Sequence, residues 1–429
     1  MLTLLTEAIC SGCESAIAAN YSPLLEVEIV TRPFVRFLGA LGGVACALLV
    51  ATPATAEPIY PIPDPDRFYA APADLAAHRP GDVLDVRVLP PVAVFPGATV
   101  RLVKFRSTDS RGAPIAATTT IATPAGHQPG APLLSYQHFI NSLGTDCAVS
   151  HRLYGADLNL SVIMPALGAM LARGWSVALP DHLGPEFALG AGRLGGQITL
   201  DGVRAAQRMP ELGVADSPAV LAGYSGGGLA TAWAAVLQPS YAPELRLAGA
   251  AIGGAPMNLV SMAEGLGYQP HPAFGLAMAA AIGLEREYPD RVQVSGNLNP
   301  RGLAMRDAMA NLCTNDILAL GAGGSAHEFA TGPAVFEQPD AWAVVRENSV
   351  ELYDPVPRIP IFEWHSPTDP LVPINAIDNT NRRWCGAGVR LQTLLVPSFE
   401  HLSAAVAGAP AMLAWLEGRV RGEPAPVAC

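Results

Sequence analysis

Val220-Leu221-Ala222-Gly223-Tyr224-Ser225-Gly226-Gly227-Gly228 places an apolar run of strand character directly before a G-x-S-x-G pentapeptide, and an alanine-rich helical stretch, 228–237, follows it. Strand, tight turn and helix in that order describe a nucleophile elbow, in which the serine sits at the tip of a strained turn. Small residues two places before and two places after the serine are needed because neighbouring backbone crowds the turn. The pentapeptide alone arises by chance in a chain with 42 glycines, and a glycine-rich packing turn is the plain alternative. Its place behind a buried strand favours the nucleophile, Ser225. A nucleotide-binding loop fits less well, because no G-x-G-x-x-G opens the first strand–helix unit.

Outward from the elbow the chain keeps a regular rhythm. Residues 99–105 and 114–122 alternate as strands around Asp109-Ser110-Arg111-Gly112, an antiparallel hairpin. Apolar runs at 132–136, 175–179 and 220–223 are separated by helical stretches at 164–173 and 197–209. Strand–helix–strand order of this kind predicts a mostly parallel central sheet flanked by helices and built by right-handed crossovers. The rhythm breaks between 255 and 348, where helix-like patches lie at 259–266, 274–288 and 301–320. Strand character returns at 360–364 and 390–396. The expected organisation is an α/β-hydrolase core over 57–254 and 349–429, with 255–348 inserted as a helical cap or lid. A long decorated connection is the alternative.

A serine hydroxyl is a poor nucleophile without a base and an orienting acid, which in this fold follow in the chain order Ser, acid, His. Of nine histidines, His78, His127, His138, His151 and His182 precede Ser225. His271 and His327 lie in the insertion, and His365 lies in a strand before the candidate acid. Only His401 fits the order, in the loop after the strand that ends near Val396. The acid is expected at Asp369, directly after the strand at 360–364. Glu363, Asp354 and Asp378 are weaker alternatives. The elbow itself offers the backbone N–H of Gly226 to an oxyanion.

Half of the 429 residues are apolar and 15% are charged, so a sizeable core is available and extensive disorder is a poor fit. The net charge of −11, with no run of basic residues, argues against nucleic acid or anionic membranes as partners. Lys104 is the sole lysine, which disfavours Schiff-base chemistry. Residues 1–56 have the character of a leader. Arg32 and Arg36 precede an apolar run, and Ala54-Thr55-Ala56 gives the small-x-small pattern of a signal-peptidase site, with cleavage expected after Ala56. The run, at about 14 residues, is short of the ~20 that a membrane span needs, a retained anchor being the alternative. Residues 1–31 sit oddly upstream of the basic pair, and a start near Val27 or Val30 would remove them. Cys10, Cys13 and Cys46 leave with the leader. Cys147, Cys313, Cys385 and Cys429 remain, an even number that suggests two disulfides in an exported protein, with three pairings open. No H-E-x-x-H and no paired cysteine motif survives in the mature chain, so no metal and no cofactor are expected.

Ser135-Tyr136-Gln137, Leu179-Pro180-Asp181-His182 with Gly184-Pro185, Leu200-Asp201-Gly202-x-Arg204, 223–228 and Asp369-x-x-Val372-Pro373 together resemble the secretory lipase family, the fungal lipase-A type, across most of the mature chain. The combination is specific where no single piece is. The resemblance implies a Ser–Asp–His triad, falling on Ser225, Asp369 and His401, and an inserted helical cap. It also implies a second oxyanion donor in the loop after Gln137, where the family usually has a carboxylic acid and this sequence has Asn141. A carboxyl donates only when protonated, whereas an amide donates at any pH. By the same resemblance Cys147 pairs with Cys313, which leaves Cys385 with Cys429. His182 is expected to play a structural hydrogen-bonding part.

The resulting expectation is a secreted serine hydrolase that cleaves carboxylic esters through an acyl-enzyme, most simply a triacylglycerol lipase acting on a lipid or other ester substrate. A short-chain carboxylesterase or an acyltransferase would use the same triad, and a non-catalytic hydrolase-like binding protein is a remote alternative. Phe274, Leu276, Met278, Ile282 and Leu284 of the cap are candidates to line an acyl pocket.

Overall fold

The computed structural model describes residues 56–155, 157–332 and 338–429. The leader expected at 1–56 lies outside the described residues, apart from Ala56. Among the described residues the strands are β1 (Val83–Val88), β2 (Thr99–Thr108), β3 (Pro114–Thr123), β4 (Leu133–Gln137), β5 (Ser176–Pro180), β6 (Ala219–Tyr224), β7 (Leu247–Gly253), β8 (Ile361–His365) and β9 (Leu391–Leu395). The helices are α1 (Val149–Arg152), α2 (Leu158–Ala172), α3 (Gly192–Gln207), α4 (Gly226–Tyr241), α5 (Leu259–Gly267), α6 (Phe274–Glu287), α7 (Pro300–Met309), α8 (Thr314–Gly321), α9 (Ala326–Phe329), α10 (Pro339–Glu347), α11 (Ile374–Gly386) and α12 (His401–Val420).

The strands form one sheet in the order β1-β2-β3-β5-β4-β6-β7-β8-β9. The predicted hairpin is present as β2 and β3, antiparallel from Thr99 opposite Thr123 to Thr108 opposite Pro114. From β5 to β9 every pairing is parallel. Strands β4, β5, β6 and β8 are buried along their whole length, which is why they read as mostly apolar runs, although Ser135, Gln137, Glu363 and His365 are buried with them. The carboxyl ends of the parallel strands therefore share one rim of the sheet.

Small residues set how closely the layers approach. A β-carbon on Gly196 of α3 would lie 2.8 Å from the Ala234 nitrogen of α4, so the two helices pack almost backbone to backbone. Between β7 and β8 the chain forms α5 to α10. The helical patch predicted at 301–320 is two helices, α7 and α8, separated around Cys313, which caps α8 and enters a disulfide. Cys147–Cys313 joins the segment after β4 to this insertion, and Cys385–Cys429 ties α11 to the carboxy-terminal tail. The proline-rich stretch 58–65 runs past α6 and the segment after α7. Arg286 donates to the Ile59 carbonyl at 2.8 Å, and Asn311 Oδ1 accepts from the Ile62 N–H at 2.7 Å. No helix among the described residues is long and apolar enough to cross a membrane.

Candidate active site

Ser225 stands between β6 and α4 with φ 54° and ψ −125°, a left-handed conformation that costs a non-glycine residue roughly 1–3 kcal/mol and must be held by its surroundings. Its N–H donates to the Gly253 carbonyl at 2.8 Å, and its carbonyl accepts from the Leu229 N–H at 2.9 Å. A β-carbon on Gly223 would come within 2.5 Å of the Gly227 carbonyl oxygen, and one on Gly227 within 1.9 Å of the Gln137 carbonyl oxygen. The crowding inferred from the pentapeptide is thus specific: glycine alone lets the strand, the turn and the loop after β4 meet.

Asp369 lies in the loop after β8, and His401 is the first residue of α12. The structure puts His401 at a helix start and not in the loop expected for it, because the Glu400 carboxylate caps the N–H groups of Leu402 and Ser403 at 2.8 and 2.7 Å. His401 Nδ1 donates to Asp369 Oδ2 at 2.6 Å, with the carboxylate side chain fully buried. Burial pushes the Asp369 carboxyl up. The His401 hydrogen bond and charge, with the N–H groups of Val372 and Leu371, outweigh burial and hold it below the usual range. His401 Nε2 is buried and finds no partner among the described residues. Of the weaker alternatives for the acid, Glu363 is engaged elsewhere, with His365 Nδ1 at 2.9 Å and Asn381 at 3.2 Å.

Asn141 and Gly226 meet beside Ser225. Asn141 has φ 40°, and its Oδ1 lies 2.1 Å from where a β-carbon on Gly226 would stand. All three line one cavity that runs under α5 and α6. The wall is otherwise almost wholly aliphatic, with Leu259, Met262 and Leu266 from α5 and Leu276, Ala280 and Leu284 from α6 prominent. Of the five residues expected to line an acyl pocket, Leu276 and Leu284 line this cavity. Phe274, Met278 and Ile282, spaced by four, occupy the opposite face of α6 and fill a separate core cluster with Met309, Ile317 and Leu143 of the segment after β4.

His182 also borders the cavity, and its Nε2 donates to the His138 carbonyl at 2.7 Å, bracing the start of the loop that carries Asn141. Burial pulls the His182 imidazole down to about 4, so it is neutral near pH 7. Asp181 is buried among the hydroxyls of Thr118 and Ser150 at 2.7 and 2.8 Å. Asp201 is likewise taken up, by Arg204, Ser107 and Tyr241. No cluster of three or more His, Cys, Asp or Glu side chains suited to a metal occurs among the described residues. Sequence reasoning missed Gln137 as a brace: its Oε1 accepts from Thr231 of α4 at 2.8 Å, which locks the loop after β4 onto the elbow helix.

Residues 155–427 match the secretory lipase family. The chain belongs to that family. Lipase 6 of Candida albicans is 33% identical over 93% of this chain and 88% of its own length. The "probable trichothecene esterase" of Stachybotrys chartarum is 31% identical over 91% of this chain and 83% of its own. Among solved structures, Candida antarctica lipase A in its closed state superimposes with a TM-score of 0.80 at 26% identity, over 85% of this chain and 89% of that one. A rice cell wall degrading esterase of Xanthomonas oryzae, at 16% identity and a TM-score of 0.60 over 80% of this chain and 97% of that one, shares the fold. As a secretory lipase family member with this α/β-hydrolase sheet, the chain is a carboxylic ester hydrolase.

Proposed function

We propose that the protein is an exported lipase that hydrolyses esters of aliphatic acyl chains through an acyl-enzyme, with Ser225 as nucleophile, His401 as general base and Asp369 as the acid that orients it. The observation that carries this reading is the buried 2.6 Å hydrogen bond from His401 Nδ1 to Asp369, which leaves Nε2 as the imidazole's free basic atom on the rim where the elbow presents Ser225. Ser225 Oγ attacks the ester carbonyl while His401 Nε2 takes its proton. The Gly226 N–H and the Asn141 amide stabilise the oxyanion. Collapse expels the alcohol, protonated by His401, and leaves the acyl group on Ser225. Water, deprotonated by His401, then releases the carboxylic acid. The aliphatic cavity under α5 and α6 supports an acyl chain of some length over a short one, since each buried methylene contributes about 0.8 kcal/mol. Family membership, the two disulfides and the small-x-small pattern at 54–56 support export.

Two assays test this. A fluorophosphonate probe is expected to label Ser225, with labelling abolished in Ser225→Ala. p-Nitrophenyl esters of increasing acyl length and emulsified triacylglycerol are expected to be hydrolysed, with kcat/KM rising with chain length. Activity confined to acetyl and butyryl esters would reduce the reading to a short-chain esterase. Absence of labelling would remove the catalytic assignment altogether.

A further inference from the structure

Tyr224, the first of the two variable residues of the G-x-S-x-G pentapeptide, is fully buried. Its hydroxyl donates to the His401 backbone carbonyl at 2.6 Å. Its ring lies 5.0 Å, centroid to centroid, from the His401 imidazole and 5.7 Å from Trp364. The enclosure around this stack is built from glycines. A β-carbon on Gly254 would stand 2.7 Å from the Tyr224 hydroxyl, and one on Gly253 would stand 2.5 Å from the Tyr224 ring and 2.3 Å from Trp364. On the far side, a β-carbon on Gly408 of α12 would meet Trp364 at 2.3 Å. The tyrosine is therefore clasped between the strand that ends at Gly253 and the helix that begins with His401.

We infer that Tyr224 is a positioning residue for His401, holding the general base by hydrogen bond and by ring contact from the residue next to the nucleophile. The inference rests on the triad reading above. A single hydrogen bond to Asp369 fixes one atom of the imidazole and leaves the ring free to swing about it. The Tyr224 ring limits that swing, while its hydroxyl fixes the backbone from which the imidazole hangs. Because Tyr224 and Ser225 share a peptide bond, the clasp also sets the base relative to the nucleophile. Proton transfer needs that separation held to a fraction of an ångström, and a misplacement of about 1 Å costs on the order of a hundredfold. A buried phenol needs one partner for its hydroxyl, and here the partner belongs to the residue whose position matters most.

Tyr224→Phe and Tyr224→Leu in the full chain test this with a soluble p-nitrophenyl ester, rates being counted per fluorophosphonate-titrated site. Tyr224→Phe keeps the ring and loses the hydroxyl; it is expected to lower kcat about tenfold, the worth of one lost hydrogen bond, with KM within about twofold of wild type. Tyr224→Leu loses both contacts and is expected to fall further. The low-field proton signal of the His401–Asp369 hydrogen bond is expected to sharpen again from Leu to Phe to Tyr. A tyrosine that merely fills the core would give less folded protein but full kcat per titrated site, and that result overturns the inference. So does a Tyr224→Phe loss that appears in KM alone. If Tyr224→Leu does not fold, Tyr224→Phe decides by itself. Wild-type protein that fails to label at Ser225 sinks the triad reading and this inference together, whereas normal labelling with an unaltered Tyr224→Phe sinks this one only.

Discussion

At the scale of single residues, the informative position is Asn141. It lines the cavity beside Ser225 and Gly226 at φ 40°, a conformation that Asn and Asp tolerate better than other non-glycine residues. Acting as the proposed side-chain donor to the oxyanion, it contributes to the transition state and little to ground-state binding. Asn141→Ala is therefore expected to lower kcat by about 10²–10³-fold with a small change in KM. Asn141→Asp separates donation from backbone strain. An aspartic acid donates only while protonated, so its activity relative to wild type is expected to fall as pH rises through the carboxyl's titration and to recover on the acid side. A relative pH profile that is flat would remove Asn141 from the oxyanion hole. The residues proposed to carry the chemistry, Ser225, Asp369 and His401, could be picked out because the elbow, the loop after a strand and the chain order are local or ordinal signals. The bracing parts of Tyr224 and Gln137 were not legible, and for His182 the structural hydrogen bond was expected but its partner was not. Their partners lie 177, 94 and 44 residues away, and no spacing in the sequence announces such contacts.

At the scale of elements, the apolar strands and the hairpin could be read directly, and the misses have physical causes. Strand β7, Leu-Ala-Gly-Ala-Ala-Ile-Gly, lacks the β-branched density of a typical strand because tryptophans cover it. A β-carbon on Gly249 would stand 2.7 Å from Trp415, as one on Gly253 would from Trp364 at 2.3 Å. Edge strand β1 is largely exposed, so its alternation carries little apolar signal. Helix α3 begins five residues earlier than its predicted start at 197, since Gly195 and Gly196 weaken helix propensity while serving the contact with α4. Helix α12 is masked by Pro410 in its middle and is held at its start by Glu400. The two disulfides act on different elements and predict different consequences. Each closes a long loop, so on the chain-entropy account removing either costs about 4–5 kcal/mol as an upper value. Cys147–Cys313 also fixes the segment that follows Asn141, because Leu143 N–H donates to the Leu312 carbonyl at 3.0 Å beside the bridge. Paired serine substitutions at Cys147 and Cys313 are expected to lower both Tm and kcat. The same change at Cys385 and Cys429 is expected to lower Tm while kcat at 25 °C stays near wild type. Equal kcat in the two variants would show that the first bridge does not reach the oxyanion loop.

At the scale of the whole molecule, stability toward acid is a contest between buried groups of opposite sign. Burial pushes the carboxyls of Asp181, Asp201 and Glu287 up, although their hydrogen-bond partners pull against it. Such groups bind more protons folded than unfolded, so their contribution weakens as pH rises above the ordinary carboxylate range. His138 and His182 act the other way. Burial pulls them down to about 3 and about 4, whereas in the unfolded chain they titrate near 6.5. Between those values the unfolded state holds protons that the folded state refuses. The stabilisation they give is full above roughly pH 6.5 and is lost as pH falls toward 4. The net curve does not reveal either contribution, but a single substitution isolates one. Glutamine at position 182 keeps an N–H donor for the His138 carbonyl and does not titrate. Unfolding free energies of wild type and His182→Gln, measured by denaturant between pH 7.5 and 4.5, are expected to converge as pH falls. The wild type should lose relative stability by up to a few kcal/mol across that window, about 1.4 kcal/mol for each pH unit below 6.5. A difference between the two proteins that does not change with pH would mean that His182 takes up its proton in the folded state as readily as in the unfolded one, and its neutral bracing of the oxyanion loop would fall with it.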